Sequence, residues 1–218
     1  MPTSRPFKII AADHTGITVS NLDRSLAFWR HFLPLAQKTF PESLGDVALD
    51  AFHLAVNRVQ PSLIRVQADE VTYNLHILIR FELEQGLLKG DLKAAELPTA
   101  WGEAYARYLG VTPTNDKEGC LQDGHWACGQ FGYFTTYTIG NVFAAQLYAA
   151  ANSEIGGLDS SFAQGDFHDL LEWLRAKIHR QGGRYKASRL IEIVTGSPPD
   201  HRPLVEALRR KYEELYGL

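Results

Sequence analysis

The chain is poor in cysteine. Cys120 and Cys128 are the only two, too few for a disulfide framework, which points to a reducing, cytoplasmic compartment. It also lacks a basic excess. The 22 Lys+Arg stand against 25 Asp+Glu, for a net charge of −3, so nothing in the charge balance favours a nucleic-acid partner. The opening MPTSRPFKII holds no apolar stretch of signal-peptide length. Charge is scarce between Gly124 and Asn152. A membrane span needs about 20 predominantly apolar residues, and Gln130, Asn141, Gln146 and clustered glycines interrupt this run. A helix buried on most sides is expected there, and no membrane partner. What the chain does have, 45% hydrophobic residues over 218 positions, suffices for one sizeable core in one domain or at most two and excludes wholesale disorder.

The first twenty residues read as extended, with Gly16 before the β-branched run Ile17-Thr18-Val19. Ser20 and Asp23 then resemble a capping box, and Leu22, Leu26, Trp29 and Leu33 share one helical face. Helical spacing continues in 47–59, in a long helix expected from Arg65 to about Leu88, in 98–109 with Pro98 in its first turn and Gly110 at its end, and in 133–151. Leu170, Leu174 and Ile178, then Leu190, Ile191 and Val194, then Leu204, Leu208, Tyr212 and Leu215 mark three more helices. The expectation is a mainly α protein with a small extended N-terminal element.

Two places could carry chemistry. In 65–88 the apolar residues point nearly all round, which implies burial, yet Arg65, Asp69, Tyr73, His76 and Arg80 fall at helical spacing along one face. That stripe is either a structural ion-pair network, Arg65 with Asp69 and Arg80 with a Glu, or the lining of a cleft in which Arg65 grips a carboxylate with two donors. The second place is 119–126, where Gln122, Asp123 and His125 crowd the end of a loop. Asp123 there either orients the His125 imidazole or merely caps a turn beside a packed histidine. Cys120, His125 and Cys128 make three possible zinc ligands without an apparent fourth.

IRVQAD (64–69) and GCLQDGHW (119–126) resemble the IRxxAD and GxxQDxHW signatures of the carboxypeptidase Taq family of zinc metallocarboxypeptidases. The similarity extends over PSLIRVQADEVTYNLHILIRFELE, LQDGHWACGQFGYFTTYTIGN and WLRAKIHRQGGRY, roughly residues 24–218. The resemblance implies a multi-helix metallocarboxypeptidase-like fold, a homo-oligomer (usually a dimer), and release of C-terminal amino acids from peptides. It implies a catalytic contribution from His125, and substrate binding by Arg65, Asp69, Gln122, Tyr133 and Tyr137. Arg65 would hold the peptide carboxylate, and His125 with the two tyrosines would line the cleft and stabilise an oxyanion. Thr135 stands where the family usually has Pro.

The family's zinc is held by the two histidines of an HExxH helix and a downstream Glu. None of the eight histidines here is followed by Glu, and Ala11-Ala12 stands where the family's HES motif would fall. No cofactor is therefore expected for this chain, although zinc belongs to the family, and the chain reads as the C-terminal part of such an enzyme, inactive alone. DHTGITVSNLDRSLAFWRHFL (13–33) resembles the first strand and helix of the glyoxalase/dioxygenase (vicinal oxygen chelate) superfamily, in which a histidine placed like His14 is often a metal ligand. The expected division is a fusion-derived segment 1–23 followed by a carboxypeptidase-like domain 24–218. The alternatives are a metal site rebuilt from Asp13, His14 and His31, a glyoxalase-like enzyme, or a non-enzymatic oligomerising or peptide-binding helical module.

Overall fold

Helix signals and helix positions agree along most of the computed structural model, which describes residues 22–218, with side chains from residue 28. Every regular element among the described residues is helical, so the mainly α expectation stands. The extended element expected before residue 20 lies outside the described residues.

Residues 57–140 form one compact unit. It is built on α4 (Tyr73–Lys89) and α5 (Leu97–Leu109). Ile79 and Leu83 of α4 pack with Trp101, Ala104, Tyr105 and Leu109 of α5 in a buried cluster, each set at helical spacing so that two apolar stripes close on each other. Pro98 occupies the first turn of α5 and Gly110 ends it at φ 69°, the left-handed position a side chain resists.

The other unit comprises, among the described residues, 22–56 and 141–218. It holds α1 (Leu22–Thr39), α2 (Pro41–Leu44), α3 (Leu49–Val56), α7 (Leu158–Ala163), α8 (His168–Lys177), α9 (Ala187–Thr195) and α10 (Arg202–Tyr216). Ala151, Leu158, Phe162, Trp173 and Val194 form its core. Buried Gln146 staples the 195–200 turn, donating from Nε2 to the Pro198 carbonyl at 2.9 Å and accepting the Asp200 backbone N–H at 3.1 Å. Helix α6 (Thr135–Ile155) crosses the boundary between the units after Gly140.

Three expectations need correction. The long helix begins at Tyr73, not Arg65. Residues Arg65–Gln67 form a separate 3-10 turn and Ala68 is extended. The all-round burial is not found either, since Val66, Leu78 and Phe81 are exposed. Helix α6 begins at Thr135 rather than Tyr133, and only Ala145, Gln146 and Ala151 along it are buried. Its low charge therefore does not translate into burial. No helix of the described residues is long and apolar enough to cross a membrane. The short α7 is absent from the sequence reading because its six residues are fewer than two turns, too few for periodicity to register.

Candidate functional site

The site is assembled within the 57–140 unit from three pieces of chain. The first is the turn carrying Arg65. The backbone N–H of Arg65 donates to Gln122 Oε1 at 2.9 Å. Asp69 then closes the turn ahead of α4. Its Oδ1 accepts the Val71 and Thr72 backbone N–H groups at 3.0 and 2.9 Å, and its Oδ2 accepts the Thr72 hydroxyl at 2.7 Å and the Gln60 N–H at 3.1 Å. An Asp side chain suits such a turn, since its oxygens reach backbone N–H groups two and three residues on.

The second piece is the inner face of α4, which supplies His76, Arg80 and Glu84, all buried. The third is the loop 119–126, which delivers Gln122 and Asp123. Asp123 is the junction. Its Oδ1 accepts from Arg65 Nη2 at 2.6 Å and its Oδ2 from Arg80 Nε at 2.7 Å. The three side chains are nearly sealed from solvent, at 5%, 0% and 9% exposure for Arg65, Arg80 and Asp123. Two guanidinium groups share one carboxylate, so the triad carries a net positive charge. Burial alone would push the Asp123 carboxyl up. The Arg65 hydrogen bond and the two guanidinium charges outweigh it and hold the group below the usual aspartate range. Burial likewise works against the Arg65 charge, and Asp123 outweighs it.

Aromatic rings wall the triad. The Arg80 guanidinium lies 4.6 Å from the Trp101 ring centroid and that of Arg65 lies 5.0 Å from Tyr137, both within cation–π range. Tyr105 Oη accepts from Arg80 Nη1 at 3.2 Å and sits 3.0 Å from His76 Nδ1. The tyrosine accepts from the cation, so its own proton is free for His76 Nδ1. Burial and the two guanidinium charges lower His76 to about 4.

His125 stands in front of this cluster. Its Nε2 lies 3.0 Å from Tyr137 Oη, and its ring centroid is 4.4 Å from Phe134 and 5.7 Å from half-exposed Tyr133. Nδ1 is buried without a hydrogen-bond partner. Asp123 Oδ1 is 3.9 Å away, too far to orient the ring. Burial lowers the imidazole below its usual value, with Arg65 and Arg80 acting the same way against Asp123.

The sequence-derived site residues thus divide. His125, Tyr133 and Tyr137 meet around one imidazole. Arg65 lies behind them, but it is not a free fork. Asp123 takes its Nε and Nη2, and the Tyr73 hydroxyl takes Nη1 at 3.2 Å. The expected Arg65–Asp69 pair does not form, because Asp69 is spent on backbone donors. Gln122 is likewise structural: Nε2 donates to the Leu63 and Glu118 carbonyls at 2.9 Å, and Oε1 also accepts Arg80 Nη2 at 2.9 Å. Arg80 shares Asp123 with Arg65, not with a Glu. Tyr105, Phe134 and Glu84 were missed, since each reads as an ordinary core or helix-surface position. Only the contacts that the fold makes give them a part in the site.

The donor set does not fit the family's metal. Among the described residues no group of three His, Cys, Asp or Glu is placed to hold an ion. Asp123 is neutralised by arginines, and burial raises the Cys120 thiol, which disfavours the ligating thiolate.

The fold defines the class first. The chain superposes on the crystal structure of an M32 carboxypeptidase from Deinococcus radiodurans R1 with a TM-score of 0.84 at 46% identity, over 90% of this chain and 40% of that one. The carboxypeptidase Taq (M32) metallopeptidase family matches residues 18–212, and the chain belongs to that family. It is 54% identical over 194 residues to thermostable carboxypeptidase 1 of Thermus thermophilus, and 40% identical over 197 residues to carboxypeptidase 1 of Bacillus subtilis. These matches cover 89% and 90% of this chain but only 38% and 39% of the relatives' own length. The family match begins at residue 18, inside the stretch 13–33, and 22–33 is helical. The glyoxalase resemblance gains no support.

Proposed function

We propose that this chain supplies the substrate-side wall of a carboxypeptidase Taq-type fold and binds peptide C-termini without hydrolysing them by itself. The observation that carries this reading is the triad's net positive charge, held out of water behind the His125–Tyr137 pair and half-exposed Tyr133. A carboxylate arriving at that wall meets a positive field with little solvent screening. The phenol hydroxyls are its donors at the surface, while Arg65 and Arg80 act through charge from beneath. Family membership supports peptides as the ligand class. The absence of HExxH from the sequence and of a metal-donor triad among the described residues supports binding without hydrolysis. A cytoplasmic setting accords with the two free thiols.

The test is calorimetric titration of an N-acetylated tripeptide as free acid and as amide. Tighter binding of the acid, weakened by salt, is expected; equal affinities overturn the reading. Incubation of the same peptide with zinc or cobalt is expected to release no amino acid above an Arg65→Ala control. Turnover well above that control overturns the absence of hydrolysis.

Self-association is a second reading. Leu78, Phe81 and Leu88 stand exposed on α4 at spacings that place them on one stripe. Light scattering decides it: a monodisperse monomer removes it.

A further inference from the structure

Glu84 is 3% exposed on α4, one turn beyond Arg80. Both of its oxygens are spent on neutral donors. Oε2 accepts the Trp126 indole N–H at 2.7 Å and Oε1 accepts the Gly132 backbone N–H at 2.6 Å. Among the described residues no cation pairs with this carboxylate. A charge buried without a counter-charge is costly, and an apolar residue would fill a core position on α4 without that cost. The two donors say what it does. Trp126 directly follows His125, and Gly132 directly precedes Tyr133. The residues between them, 127–131, are all exposed. Gly129 and Gly132 hold φ of 72° and 80°, and the Phe131 ring stacks on Trp126 at 6.3 Å and 12°. One carboxylate therefore clasps both ends of a solvent-facing loop whose flanks bear the imidazole and the phenol of the wall. A group with two acceptors is required, because an amide would turn its NH2 toward one of the two N–H groups.

We propose that Glu84 is a positioning residue. By holding Trp126 and Gly132 on one carboxylate, it sets His125 against Tyr133 and Tyr137 in the geometry that receives a peptide carboxylate. The proposal rests on the peptide-binding reading above, and its test separates the two. The full chain is prepared as Glu84→Gln, with Glu82→Gln as control; Glu82 is a half-exposed carboxylate of the same helix, bound to Arg107 and Tyr108. Nuclear magnetic resonance follows the Trp126 indole N–H and the His125 imidazole, and titration with free-acid and amide tripeptide follows binding. In Glu84→Gln the indole proton should move upfield, the imidazole signals should shift, and the preference for the acid should fall about tenfold, as when a supporting carboxylate is lost behind a ligand-holding residue. The control should match wild type. Wild-type imidazole signals in folded Glu84→Gln, or the same shift in Glu82→Gln, overturn the proposal. If wild type shows no preference for the acid, the peptide-binding reading fails, and the imidazole signals still decide Glu84. Should Glu84→Gln not fold, Trp126→Phe removes one donor and keeps the ring packing, and unchanged imidazole signals there overturn the proposal.

Discussion

Asp123 is the residue on which the 57–140 unit balances its charge. Removing it leaves two guanidinium groups in a space nearly closed to water, each with an unanswered charge. Breaking a buried pair in this way costs on the order of 3–5 kcal/mol, so Asp123→Asn is expected to lose that much stability, read by urea unfolding. The exposed pair Arg175–Glu172, 53% and 45% exposed, gives the contrast: exposed pairs contribute little, and Glu172→Gln should leave the urea midpoint nearly unchanged. His76 sets a pH response. Its folded value is about 4 against an ordinary 6.5, so as pH falls the unfolded chain takes up the proton first. The stability His76 contributes is complete above pH 6.5, declines as pH drops toward 4, and is gone below it. The span corresponds to about 3 kcal/mol. Asp123, also depressed, adds a loss of the same direction at lower pH. Thermal melts between pH 7 and pH 4 should show a steady fall in Tm that His76→Gln flattens.

At the scale of elements, α4 and α5 owe their ends and their packing to particular residues. Gly90 closes α4 at φ 81° with no atom within 4 Å of where a Cβ would lie. Gly90→Ala meets only backbone strain and should cost about 1 kcal/mol. Gly102 lies inside α5, and a Cβ there would meet only Thr112 Cγ2 at 3.9 Å, ordinary contact. Gly102→Ala should stabilise by about 0.5–1 kcal/mol through helix propensity. The same substitution thus takes opposite signs at a left-handed helix cap and inside a helix, and denaturant midpoints of the pair check it. The turn before α4 is where spacing misled. Arg65, Asp69, Tyr73, His76 and Arg80 fit one helical face on paper, but Asp69 accepts the Val71 and Thr72 backbone N–H groups in a local turn ahead of α4, and the helix starts only at Tyr73. Arg65 still reaches the interior, from a separate 3-10 turn pinned by Gln122.

For the molecule as a whole, membership of a metallopeptidase family stands beside a set of described residues in which no three His, Cys, Asp or Glu are placed to hold an ion. The matched region is about two fifths of each relative's length, and the site residues in it that approach one another are two arginines around one carboxylate, aromatic rings and the imidazoles of His76 and His125. Stability should therefore not depend on a divalent ion: a chelator is expected to leave the Tm unchanged in a fluorimetric melt. A drop of several degrees would mean that a bound ion contributes to folding.

The sequence by itself determined the helical class, most helix ends and the family, because period, proline and glycine placement and two ordered signatures are local properties of the chain. It also marked His125, Tyr133 and Tyr137 as companions. Only the tertiary structure decided that Arg65 and Arg80 share Asp123, that Asp69 and Gln122 serve the scaffold, and that Glu84 clasps the loop beside His125. The Asp69 contacts are local, but the arginines and Asp123, and Glu84 and its two donors, lie dozens of residues apart, and which oxygen accepts which hydrogen depends on distances that close only when α4, α5 and the 119–134 loop pack together.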